Sequence, residues 1–229
     1  MFIRKDNTLK WKWIFFGAII TVALVLGCVF GGDKELYSIL HNPQCNPWTG
    51  GDGFWCGAAY TFGKIFSAKV WFVVSLLAVI SFFVYKAVTN ENDFRFAFIK
   101  IKNSYAFYLL CSVVMAILTS GILKVLIGRS RPIIYEALDA TFFVPGTFES
   151  VFNSMPSGHT AVSFAGLVMI GMLLPRIKWA TWGLAIIIGL SRVYIGAHWV
   201  GDVILGAFIG MLCADLTKAI LKKINSKIN

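Results

Sequence analysis

Residues 160–175, TAVSFAGLVMIGMLLP, and residues 179–191, WATWGLAIIIGLS, are two uncharged apolar runs separated only by Arg176-Ile177-Lys178. Working outward, four further runs follow the same pattern, at Trp13–Gly32, Val70–Tyr85, Asn103–Leu123 and Val203–Ala214. Of the 229 residues 58% are hydrophobic and 14% charged, more apolar surface than a single soluble core of this size can bury. The pattern predicts an all-α, polytopic membrane protein with six transmembrane helices, a single membrane-embedded domain over residues 1–229. Several runs are shorter than the roughly 20 residues a span needs. Their ends must then carry polar groups, and His159, Arg192 and Asp202 stand there, close to membrane depth, where ionisable side chains usually mark function.

Six crossings put both termini on one side, and the Lys/Arg bias identifies that side as the cytoplasm. Arg4, Lys5, Lys10 and Lys12 precede the first run. Lys86, Arg95, Lys100 and Lys102 fill the second connection, Arg176 and Lys178 the fourth, and Lys218, Lys222, Lys223 and Lys227 follow the last. Lys34, Lys64, Lys69, Lys124, Arg129, Arg131 and Arg192 then face the outer side. The net charge of +10 is accounted for by topology and anionic lipid, so no nucleic-acid partner is expected. The basic leader also resembles that of a secretory signal, but the run is long and lacks a small-residue cleavage pattern before Asp33, which favours a first span.

Two outer loops are expected, at about residues 33–68 and 128–157. The first opens with turn signals, Asn-Pro-Gln-Cys-Asn-Pro and Thr-Gly-Gly-Asp-Gly. Its second half, Phe54–Phe66, is either an aromatic helix lying in the head-group layer or an ordinary capped loop. Cys45 and Cys56 lie in this loop and are either disulfide-bonded or a chance pair of loop thiols. Cys28, Cys111 and Cys213 fall within spans as packing residues. The second loop carries Pro132, Pro145 and Gly146 with no helical period, and reads as a cover or wall.

Three segments carry chemistry. The third run ends in Lys124-Val-Leu-Ile-Gly-Arg-Ser-Arg131-Pro132, whose two outer cations are seven residues, about two helical turns, apart. The fourth opens with Pro156-Ser157-Gly158-His159, where a helix N-terminus favours an anion. Between the fifth and sixth lies Ser191-Arg192-Val-Tyr-Ile-Gly-Ala-His198-Trp-Val-Gly-Asp202, with His198 and Asp202 at i and i+4 of a helical face. Singly, each residue has an ordinary explanation: a snorkelling cation, an interfacial histidine, a structural His–Asp pair. The topology sends all three segments to the same side, however. Jointly they offer fixed cations, a helix N-terminus, a nucleophile and a proton donor, the set that phosphoryl transfer requires.

These residues resemble the three-part signature of the type 2 phosphatidic acid phosphatases: Lys-x6-Arg-Pro at Lys124, Arg131 and Pro132; Pro-Ser-Gly-His at Pro156 to His159; and Ser-Arg-x5-His-x3-Asp at Ser191, Arg192, His198 and Asp202. The resemblance implies that His198 attacks phosphorus to give a phosphohistidine, that Asp202 holds its other ring nitrogen, and that His159 protonates the leaving oxygen. Lys124, Arg131, Ser157, the Gly158 amide and Arg192 would bind phosphoryl oxygens, with Pro132, Pro156 and Ser191 in support. No Cys/His or carboxylate set has metal-ligand spacing near these positions, so a cofactor-free, metal-independent reaction is expected.

The implied activity is a lipid phosphatase of a bacterial inner membrane, its site facing the periplasm or exterior. The expected substrates are an isoprenoid carrier pyrophosphate, phosphatidylglycerol phosphate or a lipid A phosphate. Two rivals remain: a phosphotransferase of the same fold, and an anion transporter that uses the cations without covalent chemistry. Nothing in the sequence encodes an oligomeric state, since Gly206 and Gly210, at small-xxx-small spacing, suit packing within a chain or between chains.

Overall fold

Gly31 and Gly32 do not end the first helix. In the computed structural model, which describes residues 2–3, 8–89 and 104–226, α1 (Trp11–Gly27) passes through one wide π turn at Cys28–Gly32 into α2 (Asp33–Leu40). The expected turns from residue 33 are therefore helical up to Leu40. Asp33 and Glu35 in the first turn complement the helix dipole, and Asp33 and Tyr37 are buried. Next come α3 (Phe54–Ile65), α4 (Ala68–Thr89), α5 (Tyr105–Ile127), α6 (Pro132–Leu138), α7 (Gly158–Leu173), α8 (Lys178–Tyr194) and α9 (Val200–Ser226). Among the described residues no strand forms, only two isolated bridges, Ile3 with Leu9 and Arg129 with Phe143. Of the cations used above to orient the chain, Arg4, Lys5, Arg95, Lys100, Lys102 and Lys227 lie outside the described residues, as does Asn103.

Four helical stretches among the described residues are long and apolar enough to cross a membrane: the 30-residue rod of α1 and α2, then α4, α5 and α9 with 22, 23 and 27 residues. Helices α7 and α8 coincide with the fourth and fifth apolar runs but have 16 and 17 residues, below the roughly 20 of a full span. Stripes of large apolar side chains point outward, including Trp13, Phe16, Ile20 and Leu24 on α1 and Val73, Leu77 and Val84 on α4. Continuous apolar surface of this kind calls for a bilayer.

The packing centres on α7. Ala161, Val162, Ala165 and Val168 are sealed by Val113 and Ala116 of α5, Ala185 and Ile188 of α8, and Ile209 and Ala214 of α9. A helix apolar all round belongs in the middle of such a bundle. Gly206 and Gly210 of α9 face it within the chain: a Cβ on Gly206 would stand 2.7 Å from the Ser157 carbonyl oxygen, and one on Gly210 would overlap that of Ala161. With its flanks closed, α7 presents its N-terminus at the end of the bundle where α5 finishes and α9 begins.

Cys45 and Cys56 are disulfide-bonded, and Cys56 lies in the first turn of α3, so the thiols are paired and residues 54–65 are helical. The second loop is a wall built from the seven-residue α6, a short 3₁₀ turn at Ser150–Phe152 and backbone bonds that fold it onto its own start, such as Ser130 N–H to the Phe142 carbonyl and Ser154 N–H to that of Arg129.

Candidate active site

Helix α7 opens at Gly158 with Ser157 in the extended N-cap conformation, so its first amides lack partners within the helix and point out of an end that favours an anion. Around this end lies a cavity of about 300 Å³ lined by Lys124, Arg131, Ser150, Gly158, His159, Arg192, Ala197 and His198, with Pro47, Trp48 and Ala68 at its edge. Six of the residues singled out from sequence thus converge. Ser157 does not line the cavity: it is buried, and its hydroxyl accepts from Thr160 Oγ1 at 2.9 Å. Ser191 instead receives bonds from Arg192 Nε and Nη2, at 3.1 and 3.0 Å. Pro132 occupies the first turn of α6, and Pro156 follows a cis peptide bond.

Two local expectations are corrected. Lys124 and Arg131 do not share a helical face, because left-handed Gly128 (φ 62°) ends α5 and Arg131 sits in extended backbone as the N-cap of α6. They meet through the loop fold. Nor do His198 and Asp202 share a helical turn, since α9 starts at Val200. Asp202, in its first turn, instead reaches back to the Trp199 N–H at 3.0 Å, the reciprocal half of a capping box.

Each cation is held in place by a backbone carbonyl. Lys124 Nζ donates to Asn153, Arg131 Nε and Nη1 donate to Ser150 and Ala197 at 2.8 and 2.9 Å, and Arg192 Nη2 donates to Ala59 at 2.6 Å. Fixed donors need no reorganisation when charge arrives. Gly63 of α3 makes room for Arg192, since a Cβ there would overlap the guanidinium.

His198 is 2% exposed and Asp202 fully buried behind it. Their closest approach, Nδ1 to Oδ2, is 3.6 Å, too long for a hydrogen bond. Ser154 fills the gap: its hydroxyl donates to Asp202 Oδ2 at 2.5 Å and lies 3.4 Å from His198 Nδ1. Burial holds the His198 imidazole well below its ordinary pKa; Asp202 opposes this, while Arg131 and Lys124 push the same way. Arg131 is likewise lowered by burial, against the pull of Asp202.

The sequence motifs omit three residues here. Ser154 is one. The others are Arg129, 1% exposed, whose Nη1 donates to Asp202 Oδ1 at 2.9 Å, and Asp33, whose Oδ2 receives Arg129 Nη2 at 2.7 Å. Asp33 Oδ1 also accepts the Gly201 N–H at 2.8 Å. Arg129 could have been suspected from its place inside the Lys124–Arg131 segment. No spacing points to Asp33.

Beyond Ser191 and Ala59 lies a second, apolar groove of about 670 Å³, lined by Leu40, Trp55, Ala58, Phe62, Ile187, Leu190 and Tyr194.

The family model of the PAP2 superfamily matches residues 105–226, from the start of α5 to the end of α9. The chain belongs to the PAP2 superfamily. Among relatives, it is 35% identical over 116 residues to a lipid A 1-phosphatase of Rhizobium johnstonii, covering 51% of this chain and 48% of that one. It is 30% identical over 103 residues to an undecaprenyl-diphosphatase of Sulfolobus acidocaldarius, covering 44% and 48%. The chain spans about half the length of the curated relatives it matches. Among solved structures, that of Aquifex aeolicus LpxE shares 21% identity with a TM-score of 0.49, over 81% of this chain and 93% of the other. The PAP2 match covers Lys124, Arg131, His159, Arg192, His198 and Asp202, and leaves Asp33, Trp48 and α3 outside it.

Proposed function

We propose that the chain hydrolyses a phosphate ester or anhydride of a membrane lipid through a phosphohistidine. The observation that carries this is the convergence of Lys124, Arg131 and Arg192 with His159 and His198 on one cavity at the N-terminus of α7. A cavity of about 300 Å³ is at the low end for a ligand site and suits a phosphorylated head group rather than a whole lipid. The apolar groove next to it, beyond Ser191, suits hydrocarbon.

With Nδ1 of His198 turned to Ser154, Nε2 is left on the cavity side with a free lone pair. Nε2 attacks phosphorus, the bond from phosphorus to the leaving oxygen breaks, and His159 supplies that oxygen with a proton. Water then gives a proton to His159 and attacks the phosphohistidine, the P–N bond breaks, and His198 is regenerated with release of inorganic phosphate. The non-bridging oxygens are met throughout by Lys124, Arg131, Arg192 and the amides at Gly158, with Ser157, Ser191, Pro132 and Pro156 keeping these elements in place.

All six apolar runs cross the bilayer, both termini are cytoplasmic, and the cavity opens on the periplasmic or outer side of a bacterial inner membrane, fed with lipid from the outer leaflet. The relatives' names favour a lipid A phosphate or an isoprenoid diphosphate as substrate. The test is phosphate release by purified protein from these lipids and phosphatidylglycerol phosphate, in detergent with chelator, beside His198→Ala. One lipid cleaved by the wild type and by no variant supports the proposal. Phosphate appearing on an acceptor lipid instead of in solution identifies a transferase, and an active His198→Ala protein overturns the covalent mechanism.

A further inference from the structure

We infer that Asp33 is a positioning residue for the phosphoryl chemistry, acting through Arg129 to set the charge that Asp202 presents to His198. The inference rests on the proposed hydrolysis and goes beyond it, since Asp33 lies outside both the three motifs and the family match. The chain of contacts is continuous. Asp33 Oδ2 receives Arg129 Nη2 at 2.7 Å, Arg129 Nη1 reaches Asp202 Oδ1 at 2.9 Å, and Asp202 Oδ2 receives the Ser154 hydroxyl that stands 3.4 Å from His198 Nδ1. All of these side chains are sealed from solvent: Asp33, Arg129, Ser154, His198 and Asp202 are each at most 2% exposed.

The charges explain why two carboxylates share one guanidinium. An isolated Arg129–Asp202 pair would be neutral and would give His198 little electrostatic support. Adding Asp33 makes the buried triad net negative by one charge. That excess is felt in a low dielectric by the imidazole that must become positively charged or phosphorylated. Asp33 Oδ1 meanwhile accepts the N–H of Gly201, the residue immediately before Asp202 in the first turn of α9. One carboxylate on the first helix therefore fixes both the position and the charge of the acid behind the nucleophile. Arg131, Lys124, His159 and Arg192 line the cavity together with His198, and the hydrogen bonds described for the three cations go to carbonyls of Ser150, Ala197, Asn153 and Ala59 rather than to Asp33.

The decisive comparison is Asp33→Asn against Asp33→Asn/Arg129→Gln. The first takes the triad from net −1 to neutral. The second returns it to −1, on Asp202 alone, and leaves no uncompensated buried cation. Two readouts are taken. The first is the ¹H and ¹⁵N shift of the His198 Nδ1–H in histidine-labelled protein in detergent, assigned with His198→Ala, which requires no substrate. The second is kcat and KM for whichever lipid the wild type cleaves. Asp33→Asn is expected to move the Nδ1 proton upfield and lower kcat about tenfold with KM little changed, the size of loss seen when an outer partner of a working imidazole is removed. The double variant is expected to recover the shift and part of kcat. An unchanged His198 signal in Asp33→Asn, or equal displacement in both variants, overturns the inference and leaves the hydrolysis intact. If Asp33→Asn does not fold, a displaced signal in the double variant alone overturns it. A wild type that cleaves no lipid defeats the proposed function, and the His198 shifts still decide this inference.

Discussion

Ser154 stands between Asp202 and His198: its hydroxyl donates to the carboxylate at 2.5 Å and lies 3.4 Å from the imidazole Nδ1, while the acid and the imidazole themselves are 3.6 Å apart. A hydroxyl both gives and accepts. In the mechanism proposed above it accepts from Nδ1–H while giving to Asp202, which leaves Nε2 unprotonated. Ser154→Ala is expected to lower kcat on the order of tenfold with KM nearly unchanged, the cost of a buried charge-assisted bond. Steady-state kinetics on the cleaved lipid check this. A KM effect with kcat preserved would place Ser154 in substrate binding instead.

Arg192 occupies the space that Gly63 leaves open, so Gly63→Ala must displace the guanidinium. With Arg192 binding a phosphoryl oxygen as proposed, a shift near 1 Å of its guanidinium is expected to lower kcat/KM by roughly a hundredfold. Gly57→Ala on the same helix, where a Cβ meets nothing within 4 Å, should have no effect. Comparing the two separates displacement of Arg192 from general loosening of α3.

Burial holds the pKa of His198 well below its ordinary value of 6.5. The sign follows from linkage. The unfolded chain takes up a proton near pH 6.5 that the folded chain refuses, so the stability tied to this residue is complete above that pH and is lost as pH falls toward the lowered value. Thermal melting in detergent from pH 8 to pH 4 should fall more steeply for wild type than for His198→Asn. Parallel curves would show that the imidazole is protonated in the folded state.

The Cys45–Cys56 disulfide packs against Ile195 and Ala197, directly before His198, and its loop places Pro47 and Trp48 at the rim of the cavity. Replacing both cysteines by serine is expected to raise KM several-fold while kcat changes little, and to lower stability by about 2–3 kcal/mol, as for a closed loop of this length. Trp48→Ala should reproduce the KM effect without the stability loss. Kinetics and melting of the two variants, side by side, test both statements.

How far this was legible in the sequence depends on range. The apolar runs mark the helices because burial in lipid is a local property, and the motif residues stand at helix ends where a polar group interrupts such a run. Two of the differences trace to glycines. The first apolar run ends at the Gly31-Gly32 pair, yet the helix continues through to Leu40, whereas Gly128, between Lys124 and Arg131, takes a left-handed conformation and turns Arg131 onto a different element. Ser154, Arg129 and Asp33 were missed for another reason. Arg129 and Asp33 are 96 residues apart, and their pairing depends on how the first helix docks against the loops, which no short spacing records.

The cation-lined cavity and the apolar groove meet at Ser191 and Arg192. Under the hydrolysis proposed above, a lipid held across that junction stays in the lipid phase, whereas the freed phosphate leaves it. The quantity that saturates such an enzyme is the mole fraction of substrate in the two-dimensional film, not its molarity in the tube. Adding inert detergent at constant total lipid should therefore slow turnover by surface dilution, and the dephosphorylated lipid, retained in the same film, should compete as product for as long as it remains there.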